Sequence, residues 1–88
     1  MPHFVYLLKC NDNTLYCGYT NNLEKRILTH NNGKASKYTR GRLPVKLVYV
    51  EEHSTKSSAL KKEYKIKQLS KYAKEKLVKT NLSHLAFT

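Results

Sequence analysis

The segment Cys10–His30, CNDNTLYCGYTNNLEKRILTH, contains two side chains suited to phosphate chemistry, spaced so that they can act together. Arg26 and His30 lie four positions apart, so on an α-helix both project from one face, one turn above the other. A guanidinium grips a phosphate through two N–H donors, and an imidazole moves a proton near neutral pH. Tyr16 and Gly18 lie in the same segment, and Tyr6 precedes it. A phenol, with a reference pKa of about 10, loses its proton readily only beside a cation or an imidazole, which Arg26 and His30 would supply. Plainer readings stand beside these: Tyr6 and Tyr16 as sheet aromatics, Arg26 as a solvated helix charge, His30 as a helix-end residue that complements the dipole.

Glu63 is the only acid of the stretch Lys56–Leu69, where it stands among lysines 56, 61, 62, 65 and 67. Its spacing from Ala59, Leu60 and Ile66 puts it at the border of an apolar stripe. Two readings are open. One is an ion pair with Lys67, four positions on. The other is a carboxylate that faces a cleft and holds one hard divalent cation, with water and substrate phosphate completing the shell.

The elements that must position these groups follow from local pattern. His3–Lys9 and Thr14–Thr20 are rich in β-branched and aromatic residues around the turn cluster Asn11-Asp12-Asn13, which predicts a hairpin. A two-residue loop would pair Tyr6 with Tyr19. A three-residue loop with Asn13 left-handed pairs Tyr6 with Gly18 and Leu8 with Tyr16, and is favoured because Val5, Leu7, Leu15 and Cys17 then form an apolar face. Asn21 and Glu24 resemble a capping box for a helix to about Asn31, with Leu23 and Ile27 inward and Gly33 as a left-handed stop. Lys34–Leu43 reads as a basic loop. Pro44 then introduces a strand, Val45 to about Glu51, whose apolar residues on both faces suggest an interior place in the sheet. Thr55 or Ser57 can cap a helix to about Leu69, and Ser70 another from Lys71 to about Lys79. The tail, residues 80–88, could pack through Leu82, Leu85 and Phe87. The expectation is one α+β domain spanning residues 1–88, ordered β-β-α-β-α-α, as a two-layer α/β arrangement of one small sheet with helices against it.

Seventeen Lys and Arg against six Asp and Glu leave a formal charge of +11 on 88 residues. So basic a chain implies a polyanionic partner, most simply nucleic acid, although ribosomal and membrane-surface proteins share the trait. With 40% hydrophobic residues and seven tyrosines the chain is not composed like a disordered one. Cys10 and Cys17 make neither a disulfide framework nor a four-ligand zinc site, and their opposite parity in the hairpin puts them on opposite faces. No apolar run approaches the roughly 18–20 residues of a membrane span, and MPHFVYLLKC has no basic leader, so a cytoplasmic protein is expected.

Val5-Tyr6, Tyr16-Cys17-Gly18 ten residues later, Thr20, Asn22-Leu23, Arg26, His30 and Glu63 together resemble the GIY-YIG nuclease superfamily. The resemblance runs from about His3 to Leu77. Through KYTRGRLPVKLVYVE and ALKKEYKIKQLS it points to the small stand-alone members. It implies a three-stranded mixed sheet flanked by helices and metal-dependent hydrolysis of DNA phosphodiesters. Tyr6 would be the general base or its relay, assisted by His30; Tyr16 would help place the water or the metal shell. Arg26 would stabilise the phosphoryl transition state, and Glu63 would be the sole protein carboxylate on Mg²⁺ or Mn²⁺. Gly18 and Thr20 belong to the structural motif. The chain departs from the pattern at Phe4-Val5-Tyr6, which has no glycine, at Cys17 in place of Ile, and at Glu75, where several family nucleases carry Asn.

Lys34, Lys37, Arg40 and Arg42, with Tyr38 to stack on an unpaired base, form a candidate nucleic-acid cradle, with a solvated charged loop as the plainer reading. Three functions are consistent with these features. The first is a structure-selective DNA nuclease. The second is a nuclease fold without turnover that binds nucleic acid or the ribosome. The third, a basic structural protein, does not require Tyr6, Tyr16, Arg26, His30 and Glu63 to converge.

Overall fold

The turn after the first strand decides which side chains share a face. Asn13 adopts the left-handed conformation at φ 68°, which its short polar side chain tolerates. The Asp12 carboxylate accepts hydrogen bonds from the Thr14 backbone N–H at 3.2 Å and hydroxyl at 2.6 Å. The resulting register sets Leu8 opposite Tyr16, Leu7 opposite Cys17 and Tyr6 opposite Gly18, as expected for the three-residue loop. A slip by one residue would turn every one of these side chains to the other face.

The structure, a computed structural model, describes residues 2–85, with side chains through residue 80. Its elements are β1 (His3–Lys9), β2 (Leu15–Thr20), α1 (Leu23–Asn31), α2 (Lys37–Arg40), β3 (Lys46–His53), α3 (Lys56–Lys67) and α4 (Lys71–Leu85). The sheet order is β2-β1-β3, and β1 is antiparallel to both neighbours. The sheet is therefore antiparallel and not mixed: β2 and β3 run the same way, but β1 separates them, so no parallel ladder forms. The interior strand is β1, where Val5, Tyr6, Leu7 and Leu8 are all buried. β3, expected inside, is an edge strand.

The apolar character of β3 on both sides has another cause. Val5, Leu7, Cys17 and Tyr49 pack against Ala59 and Ile66 of α3 and Leu77 and Val78 of α4. Tyr6, Leu8, Cys10 and Val45 pack on the opposite face against Tyr16, Leu23, Ile27, Leu43 and Leu47. Alternate residues of β1 thus enter two different cores, and helices cover both faces, giving three layers where two were expected. Cys10 and Cys17 fall in separate cores and are both free thiols. Burial pushes the Cys17 thiol up to about 11, which keeps it in the protonated form at neutral pH.

Local chemistry fixes the joints. The Thr20 hydroxyl accepts from the Asn22 N–H at 3.0 Å and donates to the Asn22 carbonyl at 3.2 Å, turning the chain at the end of β2. The cap of α1 is consequently Asn22 and not Asn21; its side chain accepts from the Lys25 N–H at 3.2 Å. Gly33, at φ 73°, follows α1 in the left-handed conformation. The basic stretch is not all loop. Ser36 caps the single turn α2 by accepting from the Tyr38 N–H at 3.0 Å. Asn31 anchors the start of β3 twice, accepting from the Val45 N–H at 2.9 Å and donating to its carbonyl at 3.3 Å. Thr55 caps α3, which ends at Lys67 because the N–H groups of Gln68 and Leu69 turn back to Lys65 and Ile66. Ser70 caps α4, which continues past the expected Lys79 to Leu85. Packing of the Leu82 and Leu85 side chains and of Phe87 lies outside the described residues. No helix among the described residues is long and apolar enough to cross a membrane.

Gly18 is required by its neighbour. A Cβ at this position would overlap the Tyr6 hydroxyl and ring, with the Tyr16 ring 3.1 Å away. Gly18→Ala is expected to cost about 2 kcal/mol, the scale of core overpacking, read as a lowered urea midpoint; unchanged stability would contradict this packing.

Candidate active site

Residue parity in β1 directs Tyr6 toward α1, and the last turn of α1 brings His30 to meet it. The Tyr6 hydroxyl lies 2.9 Å from His30 Nε2. On the other side of the ring, His30 Nδ1 lies 2.9 Å from Thr39 Oγ1, and Thr39 Oγ1 is 3.4 Å from the Ser36 carbonyl. A hydroxyl has one proton to give, and we assign that of Thr39 to the Ser36 carbonyl, the acceptor beside it. Thr39 therefore accepts from His30 Nδ1–H, which leaves Nε2 bare to accept from the Tyr6 O–H. The three side chains form one directed chain in which Tyr6 and His30 are 1% exposed and Thr39 0%.

Burial sets their protonation. It holds the Tyr6 phenol well above its ordinary value; Tyr16 adds to the rise, Arg26 opposes it and Glu63 reinforces it. The charges of Arg26 and Glu63 are thus both felt at this hydroxyl. Burial, and then the Arg26 guanidinium, lower His30. At neutral pH both partners are uncharged, with the proton on Tyr6 and an acceptor on His30.

The predicted residues are distributed around this chain. Tyr16 packs edge-on against His30, with ring centroids 5.1 Å apart, and 6.5 Å from Tyr6. Arg26 is exposed and lines a polar hollow of about 290 Å³ with Thr20, Asn22, Lys25 and Thr29. The Glu63 side chain is 17% exposed, with Oε2 3.4 Å from Lys67 Nζ, so the ion pair of the plainer reading is formed. The Cys17 thiol donates to the Glu63 carbonyl at 3.9 Å, tying α3 to β2. Tyr6, Tyr16 and His30 are in contact; Arg26 and Glu63 act on Tyr6 through their charge, with no hydrogen bond to it among the described residues.

Glu63 also fits a weakly held hard cation. Its Oε1 has no ion-pair partner among the described residues, and no cluster of three or more His, Cys, Asp or Glu occurs there. A single carboxylate with water and phosphate is a donor set that Mg²⁺ accepts.

The cradle residues divide. Lys34, Lys37 and Arg40 line a hollow of about 380 Å³ beside Gly33 and Ser36. Arg42 is engaged by its own chain at the surface: Nε donates to Asp12 at 2.9 Å, a terminal nitrogen donates to the Tyr38 carbonyl at 2.6 Å, and the guanidinium sits 4.2 Å from the Tyr38 ring centroid. The Tyr38 ring also contacts Tyr16, with centroids 5.9 Å apart, so less of its face is open to a base than on a bare loop. Glu75 lines a separate hollow with Lys9, Asn13 and Leu15 at the hairpin end. Sequence reasoning missed Thr39. The one signal was an uncharged, β-branched residue amid cations, and nothing in its spacing pointed to His30.

Two measurements check the chain. Thr39→Val leaves His30 Nδ1–H buried without an acceptor, so a loss of roughly 1–3 kcal/mol is expected, together with a shift of the imidazole ¹⁵N resonances away from the Nδ1–H tautomer. With His30 lowered in the native state, the unfolded chain takes up its proton first as pH falls. Stability from this group is present above about 6.5 and is lost as pH drops through the lower native value. Urea midpoints of the wild type and His30→Gln should therefore converge as the solution is acidified, and parallel pH profiles would refute the assignment.

Comparison with known proteins places the chain in a family. The sequence pattern described as the GIY-YIG catalytic domain matches residues 2–76. A UPF0213 protein of Bacillus licheniformis is 57% identical over 76 residues, covering 86% of this chain and 78% of that protein. A UPF0213 protein of Staphylococcus haemolyticus is 55% identical, covering 86% and 93%. The solution NMR structure of a UPF0213 protein from Bacillus halodurans superposes with a TM-score of 0.60 at 45% identity, covering 91% of this chain and 85% of that one. That of an Enterococcus protein, from E. faecalis, has a TM-score of 0.63 at 39% identity and covers 97% and 88%.

Proposed function

Because the chain belongs to the GIY-YIG family, a family of nuclease-type hydrolases that generally depend on a divalent metal, we propose that it is a metal-dependent endonuclease. Its substrate in this reading is DNA, chosen by structure and not by sequence. The observation that carries the reading is the Tyr6 hydroxyl, hydrogen bonded at 2.9 Å to His30 Nε2, with the charges of Arg26 and Glu63 acting on it in opposite senses.

In-line hydrolysis needs a proton removed from the attacking water and charge neutralised on the phosphoryl oxygens. Tyr6 is too weak an acid to serve as a standing phenolate, because burial raises it. It serves as a relay: its oxygen accepts the proton of the water while its own proton passes to His30 Nε2. Tyr6 stays neutral and His30 becomes imidazolium. Thr39 keeps Nε2 free for that proton by holding the other ring nitrogen. Arg26 opposes the negative charge that develops on the phosphoryl group, and the Tyr16 ring packs beside the imidazole and holds its plane. A divalent cation on Glu63 would supply Lewis-acid stabilisation of the same charge. Lys34, Lys37 and Arg40 grip the backbone without reading bases, which accounts for the absence of sequence selection.

Purified protein incubated with branched, nicked and single-stranded DNA and Mg²⁺ or Mn²⁺ should cleave at least one of them. Glu63→Ala and Arg26→Ala should each lower the rate by about 10²–10³-fold, the scale of one electrostatic stabiliser, and Tyr6→Phe by about 10²–10⁴-fold. Equal cleavage by wild type and Glu63→Ala overturns the proposal. Salt-sensitive binding in EDTA with no cleavage by the wild type leaves the binding-only module in its place.

A further inference from the structure

The outward side of α3 carries features that hydrolysis does not use. Ala59 and Ile66 are buried against the sheet, whereas Tyr64 is 67% and Leu60 40% exposed. With Lys56, Ser57, Lys61 and Lys65 these two line an apolar hollow of about 740 Å³. A second, polar hollow of about 420 Å³ shares Ser57, Lys61 and Lys65 with it and adds His53, Thr55, Ser58 and Lys62. No acid among the described residues lines either hollow. Lys62 is paired with Glu51 at 3.7 Å, while Lys61 and Lys65 have no ion-pair partner among the described residues.

An aromatic shelf joined to a cationic polar hollow matches the two parts of a nucleotide, a base with a π-face and a phosphate with a charge. We propose that this face of α3 binds an unpaired stretch of nucleic acid, with one base on Tyr64 against Leu60 and the adjoining phosphates on Lys61 and Lys65. Charge complementarity selects this occupant. The centre of a protein interface is poor in lysine, and one leucine with one tyrosine is a narrow apolar face for a membrane surface. The surface is separate from the proposed catalytic side, since Tyr64 follows Glu63 by one residue and so lies about 100° around the helix from it. The inference shares with the hydrolytic reading only the class of partner, and catalysis is not needed for it.

Fluorescence anisotropy in EDTA, with a labelled oligothymidylate and a blunt-ended duplex of equal length, tests it. Tyr64→Ala should weaken binding of the oligothymidylate about tenfold, the effect of losing one base stack, and leave the duplex nearly unchanged. Tyr64→Phe, which keeps the ring, should bind like the wild type. Lys61→Glu with Lys65→Glu should weaken both ligands and flatten the salt dependence. All three changes are at exposed positions, and coincident thermal melts would show intact folding. Equal oligothymidylate affinity for wild type and Tyr64→Ala overturns the inference, as does absence of oligothymidylate binding by the wild type. An effect of Tyr64→Ala confined to anionic lipid vesicles also overturns it. Cleavage that depends on Glu63 while Tyr64→Ala binds normally removes this surface alone; a Tyr64 effect with Glu63-independent cleavage removes the hydrolytic reading alone.

Discussion

The hydrogen bond from Tyr6 to His30 joins the central strand to the helix that covers one face of the sheet, and most of the arrangement on that side exists to permit it. The ring and hydroxyl of Tyr6 can occupy the space beside Gly18 only because Gly18 stands opposite without a Cβ. Gly18 stands opposite only because the left-handed Asn13 sets the register. On the other side, His30 reaches the hydroxyl because Thr20 and Asn22 begin α1 at one defined point. Thr39 then removes the freedom of the imidazole to choose a tautomer. A buried polar chain of this kind is favourable only when every member is satisfied, because each unpaired group would carry its full desolvation cost. Here the last hydroxyl donates its hydrogen bond to a backbone carbonyl.

The electrostatics have the same logic at a larger scale. A net charge of +11 surrounds a pair of neutral, buried titrating groups. The cationic exterior attracts a polyanion over a distance set by salt, on the order of 10 Å at moderate ionic strength, while the interior keeps a proton poised where the dielectric is low. Arg26 belongs to both regions. It is exposed to solvent, yet its charge both eases ionisation of Tyr6 and disfavours protonation of His30.

α3 divides its surface among three tasks. Ala59 and Ile66 supply the core, Glu63 sits half-sheltered toward β2 with Lys67 beside it, and Leu60 with Tyr64 faces outward among lysines. Such a helix has little amphipathic contrast, since apolar residues lie on two sides. Its place in the fold comes from packing against β1 and β2 and from the Thr55 cap.

Much of this was legible without coordinates where the determinants are local. The turn cluster and side-chain parity foretold the pairing of Tyr6 with Gly18, and the capping pattern foretold the helix that carries Arg26, which is exposed, and His30, which is buried. Ser70, Thr55 and Gly33 sit where capping chemistry requires. The choice between Asn21 and Asn22 as cap turned on which amide the Thr20 hydroxyl would take, a contact that no spacing encodes. The edge position of β3, the second layer of helices and the withdrawal of Arg42 to Asp12 and Tyr38 depend on residues far apart in the chain. Thr39 is the clearest case. Its hydroxyl has meaning only because α2 lands beneath an imidazole nine residues upstream. Backbone preference and alternation are properties of neighbours along the chain, so the amino-acid sequence determined strands, helices, faces and charge. Which buried hydroxyl meets which nitrogen is settled by long-range packing, and only the tertiary structure decided it.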